Sequence, residues 1–140
     1  MSFVVTKRPV AATKLQATVN AENGDPVEIS FVAQYRRHTP KQLADLQDAL
    51  TNRVRVAQGM PPLLRPDGSA APEYPFTDDI AFIKAQLTGW LGVRDAAGDS
   101  IPFSGEALDQ ILADWPELVM PLYSGFFDAH KALPAAQQKN

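Results

Sequence analysis

Between Lys14 and Tyr35 the chain alternates apolar and polar residues in two runs, and the two runs share a parity. Leu15, Ala17 and Val19 point one way in the first run; Val27, Ile29, Phe31, Ala33 and Tyr35 do so in the second. This is the two-residue period of half-buried strands. Directly opposed residues of an antiparallel pair share a face, so odd positions must stand opposite odd positions. That demands an odd number of loop residues, which Glu22-Asn23-Gly24 supplies. Gly24 can take the left-handed conformation that ends such a loop without a Cβ penalty. A two-residue Asn-Gly turn would set apolar side chains opposite polar ones. Pro26 has no N–H to give a ladder, so its outer side is expected at a sheet edge or a bulge. A short strand over Phe3–Arg8 extends the expected strand region to about 3–37.

The period then changes. Thr39 is placed to cap a helix over about 40–58, with Pro40 at its first position and Gly59 as its stop. Leu43, Leu46, Leu50 and Val54 form its apolar stripe. Five prolines between Gly59 and Pro75 exclude helix or central strand and predict a loop over 59–75, with Leu63 and Leu64 as its anchors. A second helix is expected over about 77–91, capped by Thr77, with Asp78 and Asp79 in its first turn and Ile80, Ile83, Leu87 and Trp90 or Leu91 buried. A third opens at Ser104 and runs to Trp115, with Phe103 and Leu108 forming a hydrophobic staple across its start. A fourth, over about 117–133, must hold Pro121 in its first turn or kink there. The expected fold is α+β: an N-terminal antiparallel hairpin or small sheet followed by about four helices, in a single domain over 1–140.

Composition excludes more chemistry than it suggests. There are no cysteines, hence no disulfide, thiol nucleophile or thiolate zinc site. The net charge of −3 is small and Lys and Arg are scattered, with Arg36-Arg37 the one Arg-Arg pair, which gives no footprint for nucleic acid. No apolar run approaches a membrane span, and the N-terminus lacks the pattern of a signal peptide. His38 and His130 have no partners at metal-ligand spacing, and no phosphate loop, dinucleotide fingerprint or serine elbow occurs. Asp95 and Asp99 could pair for acid–base work, but their Asp-Gly-Ser setting reads more readily as a turn. Trp115, Leu122, Tyr123, Phe126 and Phe127 lie at helical spacing. Part of that set is expected in the core and part at a partner or self-association surface.

One segment carries a family likeness. Gly89-Trp90, Gly92-Val93, the acidic turn Asp95–Asp99 with Gly98, Pro102-Phe103-Ser104, and Glu106 with Leu108 follow one another in an order that resembles the C-terminal half of bacteriophage tail assembly chaperones. These are the chaperones of siphophage-type tails and related prophages, and the likeness extends to Tyr123 and Phe127. It implies a non-enzymatic chain, without cofactor or metal, that binds the tape-measure protein and helps recruit the tail tube protein. It also implies self-association, a frameshifted longer form, and work in the cytoplasm of the bacterial host with absence from the mature virion. In this reading Trp90 packs against Phe103 beneath a corner whose acidic turn faces outward. The alternatives are a structural tail or connector component, for which an edge-prone hairpin would pair between subunits, and a small ligand-binding domain or enzyme using Asp95, Asp99 or His38.

Overall fold

A computed structural model describes residues 2–132, and the end of the expected fourth helix at 133, with the polar tail beyond it, lies outside those residues. The element order is β1 (Val10–Asn20), β2 (Pro26–Arg36), α1 (Pro40–Ala57), α2 (Asp79–Gln86), β3 (Leu87–Leu91), α3 (Gly105–Asp114), a 3-10 turn (Pro116–Leu118) and α4 (Val119–Ala129). The chain, read from sequence as one domain, divides into two compact units, residues 2–37 with 78–132 and residues 38–77.

In the first unit three antiparallel strands pair in the order β1-β2-β3. The hairpin has the register that parity demands: Leu15 faces Phe31, Ala17 faces Ile29 and Val19 faces Val27. Ala21 N donates to Asp25 O at 2.8 Å and Gly24 N to Ala21 O at 2.9 Å, closing the three-residue loop with Gly24 at φ 87°. Pro26 stands opposite Asn20, one step beyond that hydrogen-bonded pair. The alternation of an antiparallel ladder therefore points its missing N–H away from β1. Residues 2–9 form no strand, contrary to expectation, and Phe3, Val4 and Val5 are exposed. A strand needs a partner for its backbone groups, and β1 is paired on its β2 side only.

The larger departure is at Leu87. The helix expected over 77–91 ends at Gln86, and the chain continues as a strand along Val32–Tyr35 of β2. Its cap is Asp78 rather than Thr77, the carboxylate accepting from Ala81 N at 2.7 Å. Pairing slips between Gln34 and Tyr35, so that Leu87 faces Tyr35, Trp90 faces Ala33, and both point into the core. This bulge explains the misreading. It places two residues three apart on one face, which is also helical spacing.

α4 lies against the hairpin. A Cβ on Gly125 would sit 2.6 Å from Tyr35 Oη and 2.9 Å from Leu15 Cδ2, so the crossing is closed to any larger residue without movement. Tyr35 is fully buried; its hydroxyl donates to Leu122 O at 2.7 Å and its ring meets Phe126 edge-on at 5.8 Å. Burial, reinforced by the charge of Asp128, raises the phenol well above its ordinary pKa and keeps it a donor. Phe82 of α2 meets Phe126 edge-on at 5.2 Å and completes the core with Ile83, Leu108 and Leu122. Pro121 is the third residue of α4, within the first turn, where its missing N–H has no helical acceptor to lose.

In the second unit Thr39 caps α1 in a reciprocal box with Gln42, and Pro40 opens the helix. Gly59, at φ 76°, ends it; Gly59 N bonds Val56 O and Met60 N bonds Arg55 O, the paired bonds of a Schellman motif. The expected stripe is shallow. Leu43, Leu46 and Leu50 are half-buried and Val54 is exposed, and Ala49 is the residue of α1 that is buried. Residues 59–75 form the expected loop, pinned to α1 where Asn52 accepts from Leu63 N at 2.8 Å and Arg55 donates to Pro61 O at 3.1 Å. Of the two expected anchors Leu63 is half-buried, but Leu64 is exposed, because it lies in a two-stranded ribbon opposite Ala70.

Candidate functional site

The residues of the Gly89–Leu108 segment converge on one corner. Gly92, at φ 86°, ends β3 and turns the chain away from β2. Val93 to Ile101 then forms a short ribbon closed by Asp95 and Asp99: Asp95 N donates to Asp99 O at 2.9 Å, and Gly98 takes φ 88°. Asp95 Oδ1 accepts from the N–H groups of Ala97 and Asp99 at 2.9 and 3.0 Å. The carboxylate is thus used by the turn itself, which supports the turn reading over acid–base chemistry. Trp90 Nε1 donates to Ile101 O at 2.7 Å, and its ring meets Phe103 edge-on at 4.9 Å, the packing expected from sequence. Pro102 and Phe103 lead to Ser104, which caps α3 by accepting from Ala107 N at 3.0 Å. Leu108, one turn in, is buried.

This corner forms one wall of an open apolar groove of about 520 Å³. The groove runs between the Val27–Phe31 half of β2 and helix α3, with Trp90, Ile101, Ile111 and Trp115 among its apolar lining. Its charged residues are few: Glu28, Arg94 and Asp114, and Arg94 is engaged with Gly98 O at 3.1 Å. Because β3 stops opposite Val32, no strand among the described residues pairs with the outer edge of β2 from Pro26 to Phe31. Even-numbered residues of β2 point their backbone groups to that side, so Glu28 and Ser30 present them to the groove.

The five residues proposed from sequence for partner or self-association separate by burial. Leu122 and Phe126 are core residues, 1% and 0% exposed, and Leu122 is part of the groove's inner lining. α4 is covered on that line by the hairpin and on the next by Phe82, so both its apolar lines are engaged. Tyr123 and Phe127 are half-buried against Phe82, the first ring tilted at 5.0 Å and the second stacked at 6.0 Å. Trp115 is 39% exposed at the end of α3 and lines the groove. His130 Nδ1–H donates to Phe126 O at 2.8 Å, and His130 is a helix-end residue. Sequence reasoning missed Ile29, Glu28, Ser30 and Ile111. They come into view only with β3 as a strand that ends early; the signal is Gly92, directly after the helix expected to run to 91.

Among the described residues no cluster of His, Asp or Glu could hold a metal ion, and no helix is long and apolar enough to cross a membrane. No family model, curated protein or solved structure matches this chain.

Proposed function

We propose that this protein is a phage tail assembly chaperone that holds the tape-measure protein by reversible hydrophobic capture, without cofactor or covalent chemistry. The observation that carries the reading is the open apolar groove with Trp115 at its mouth, built on the segment that resembles that family. Such a groove suits the apolar face of an amphipathic client helix, which docks through residues spaced three and four apart. The place of action on this reading is the cytoplasm of the bacterial host, with the tail tube protein and a longer frameshifted form as further partners. A tagged chain drawn from an induced lysogen should bring down the tape-measure protein and be missing from finished particles. Failure to retain a co-expressed tape-measure fragment would count against the reading.

One observation favours a second reading. The unpaired half of β2 is a free strand edge of the kind that joins subunits in an assembly. A structural tail component would appear in purified virions in fixed stoichiometry, and that result would displace the chaperone.

A further inference from the structure

We propose that the groove beside β2 receives residues 3–6 of a second copy of this chain, added as a fourth strand along Glu28 and Ser30. Two incomplete features of the same molecule fit each other. The first is the edge just described, with backbone groups directed outward and an apolar wall beneath. The second is the segment Phe3-Val4-Val5-Thr6, which lies outside every element. Its three apolar residues are 85%, 75% and 82% exposed. Aromatic and β-branched residues favour strands, and a strand donated to a free edge gains main-chain hydrogen bonds there. Alternation then sets Phe3 and Val5 on one face, over Ile29 and Trp90, and Val4 and Thr6 on the other.

Charge supports the same pairing. Lys7 and Arg8 follow the apolar segment with no acidic residue between Ser2 and Pro9. The groove offers Glu28 and Asp114, while Arg94 is held by Gly98 O.

Chain length assigns the occupant to a second copy. Val10 pairs with Arg36, six residues along β2 from Ser30 and on the opposite side of that strand from the groove. Those six residues span about 20 Å, whereas the four steps from Thr6 to Val10 reach at most about 14 Å. A chain therefore cannot fill its own groove with this segment. Reciprocal exchange between two copies closes a dimer with two-fold symmetry and leaves neither edge open.

The absence of native cysteine makes the test direct. Val4→Cys and Ser30→Cys, both at exposed positions and on the same face of the added strand pair, are prepared as separate proteins, mixed and mildly oxidised. A Val4–Ser30 disulfide between chains, in excess over either homodimer, is the expected result. A double variant that links only within one chain, or mixed proteins that form no such disulfide, would overturn the proposal. Light scattering on the full chain supplies the second arm. The unmodified protein should exceed the 15.3 kDa of one chain, and Val4→Lys with Val5→Lys should weaken self-association on the order of tenfold or more with an unchanged far-UV spectrum. A monomeric unmodified protein, or a double-lysine variant that associates as before, would equally overturn it. The inference shares its groove with the chaperone reading, the exchanged segment covering the apolar wall until a client displaces it; the two remain distinguishable, since a chain that holds no client would still self-associate.

Discussion

Two ribbons in this molecule share a plan and differ in what holds them. In the ribbon of residues 63–71, Arg65 N donates to Ser69 O at 2.8 Å, Ala71 N to Leu63 O at 3.1 Å, and Gly68 stands at φ 86°. In that of residues 93–101, Asp95 N donates to Asp99 O at 2.9 Å, Ile101 N to Val93 O at 2.9 Å, and Gly98 stands at φ 88°. Each is followed by proline, Pro72 and Pro102. The first is fastened by charge: Arg65 pairs with Asp45 and Asp48, one turn apart on α1, with all three side chains partly exposed. The second is fastened by Trp90, 8% exposed, through one hydrogen bond and a ring contact. Local turn chemistry thus makes the ribbon in both places. Whether the ribbon becomes part of a core depends on the neighbour that meets it.

The largest expected effect breaks the apolar fastening. Trp90→Ala should cost about 3–5 kcal/mol and should be visible as a large drop in urea midpoint; a protein that melts like the unmodified one would mean that the corner is not held as described. Removing the glycines comes next and should not distinguish the ribbons. Nothing lies within 4 Å of a Cβ at Gly68 or Gly98, so each change to alanine should cost only the left-handed backbone, about 1–2 kcal/mol. Unequal losses in thermal unfolding would show that one ribbon carries strain or contacts that the other lacks. Trp90→Phe keeps a ring against Phe103 but leaves Ile101 O without its donor, and about 1 kcal/mol is expected from the lost bond. A loss near that of the alanine variant would put the weight on the hydrogen bond rather than the ring. The smallest effect is at Arg65. Arg65→Met should lower the urea midpoint only slightly in dilute buffer and less still in about 1 M salt, where exposed charges are screened. A loss indifferent to salt would assign Arg65 a packing role instead.

Much of the corner was legible because its cues are local. Ser104 caps α3, Phe103 meets Trp90, and Gly98 closes an acidic turn, all within a short length of chain. The groove was not legible. Its floor joins β2 to α3 across more than seventy positions, and no alternation or spacing in either segment refers to the other. Which of Trp115, Leu122, Tyr123, Phe126 and Phe127 would be buried was not legible for a related reason. Helical spacing shows that a line of residues is apolar, but not how many neighbours will cover it.

Sequence by itself determined the hairpin register, since a shift by one residue would set Leu15 on the opposite face from Phe31 and Tyr35 and expose one of the two apolar rows. It also determined where α1 and α3 begin, because Thr39 and Ser104 satisfy N–H groups three residues away. Tertiary structure decided the fate of Leu87–Leu91. That stretch carries apolar residues at a spacing that suits either element, and Thr88 and Gly89 are weak helix formers. The free edge of β2 at Val32–Tyr35 supplied the backbone partners that made it a strand, and the bulge at Gln34 turned Leu87 and Trp90 inward together. A strand is completed by hydrogen bonds to a distant segment, whereas a helix completes its own.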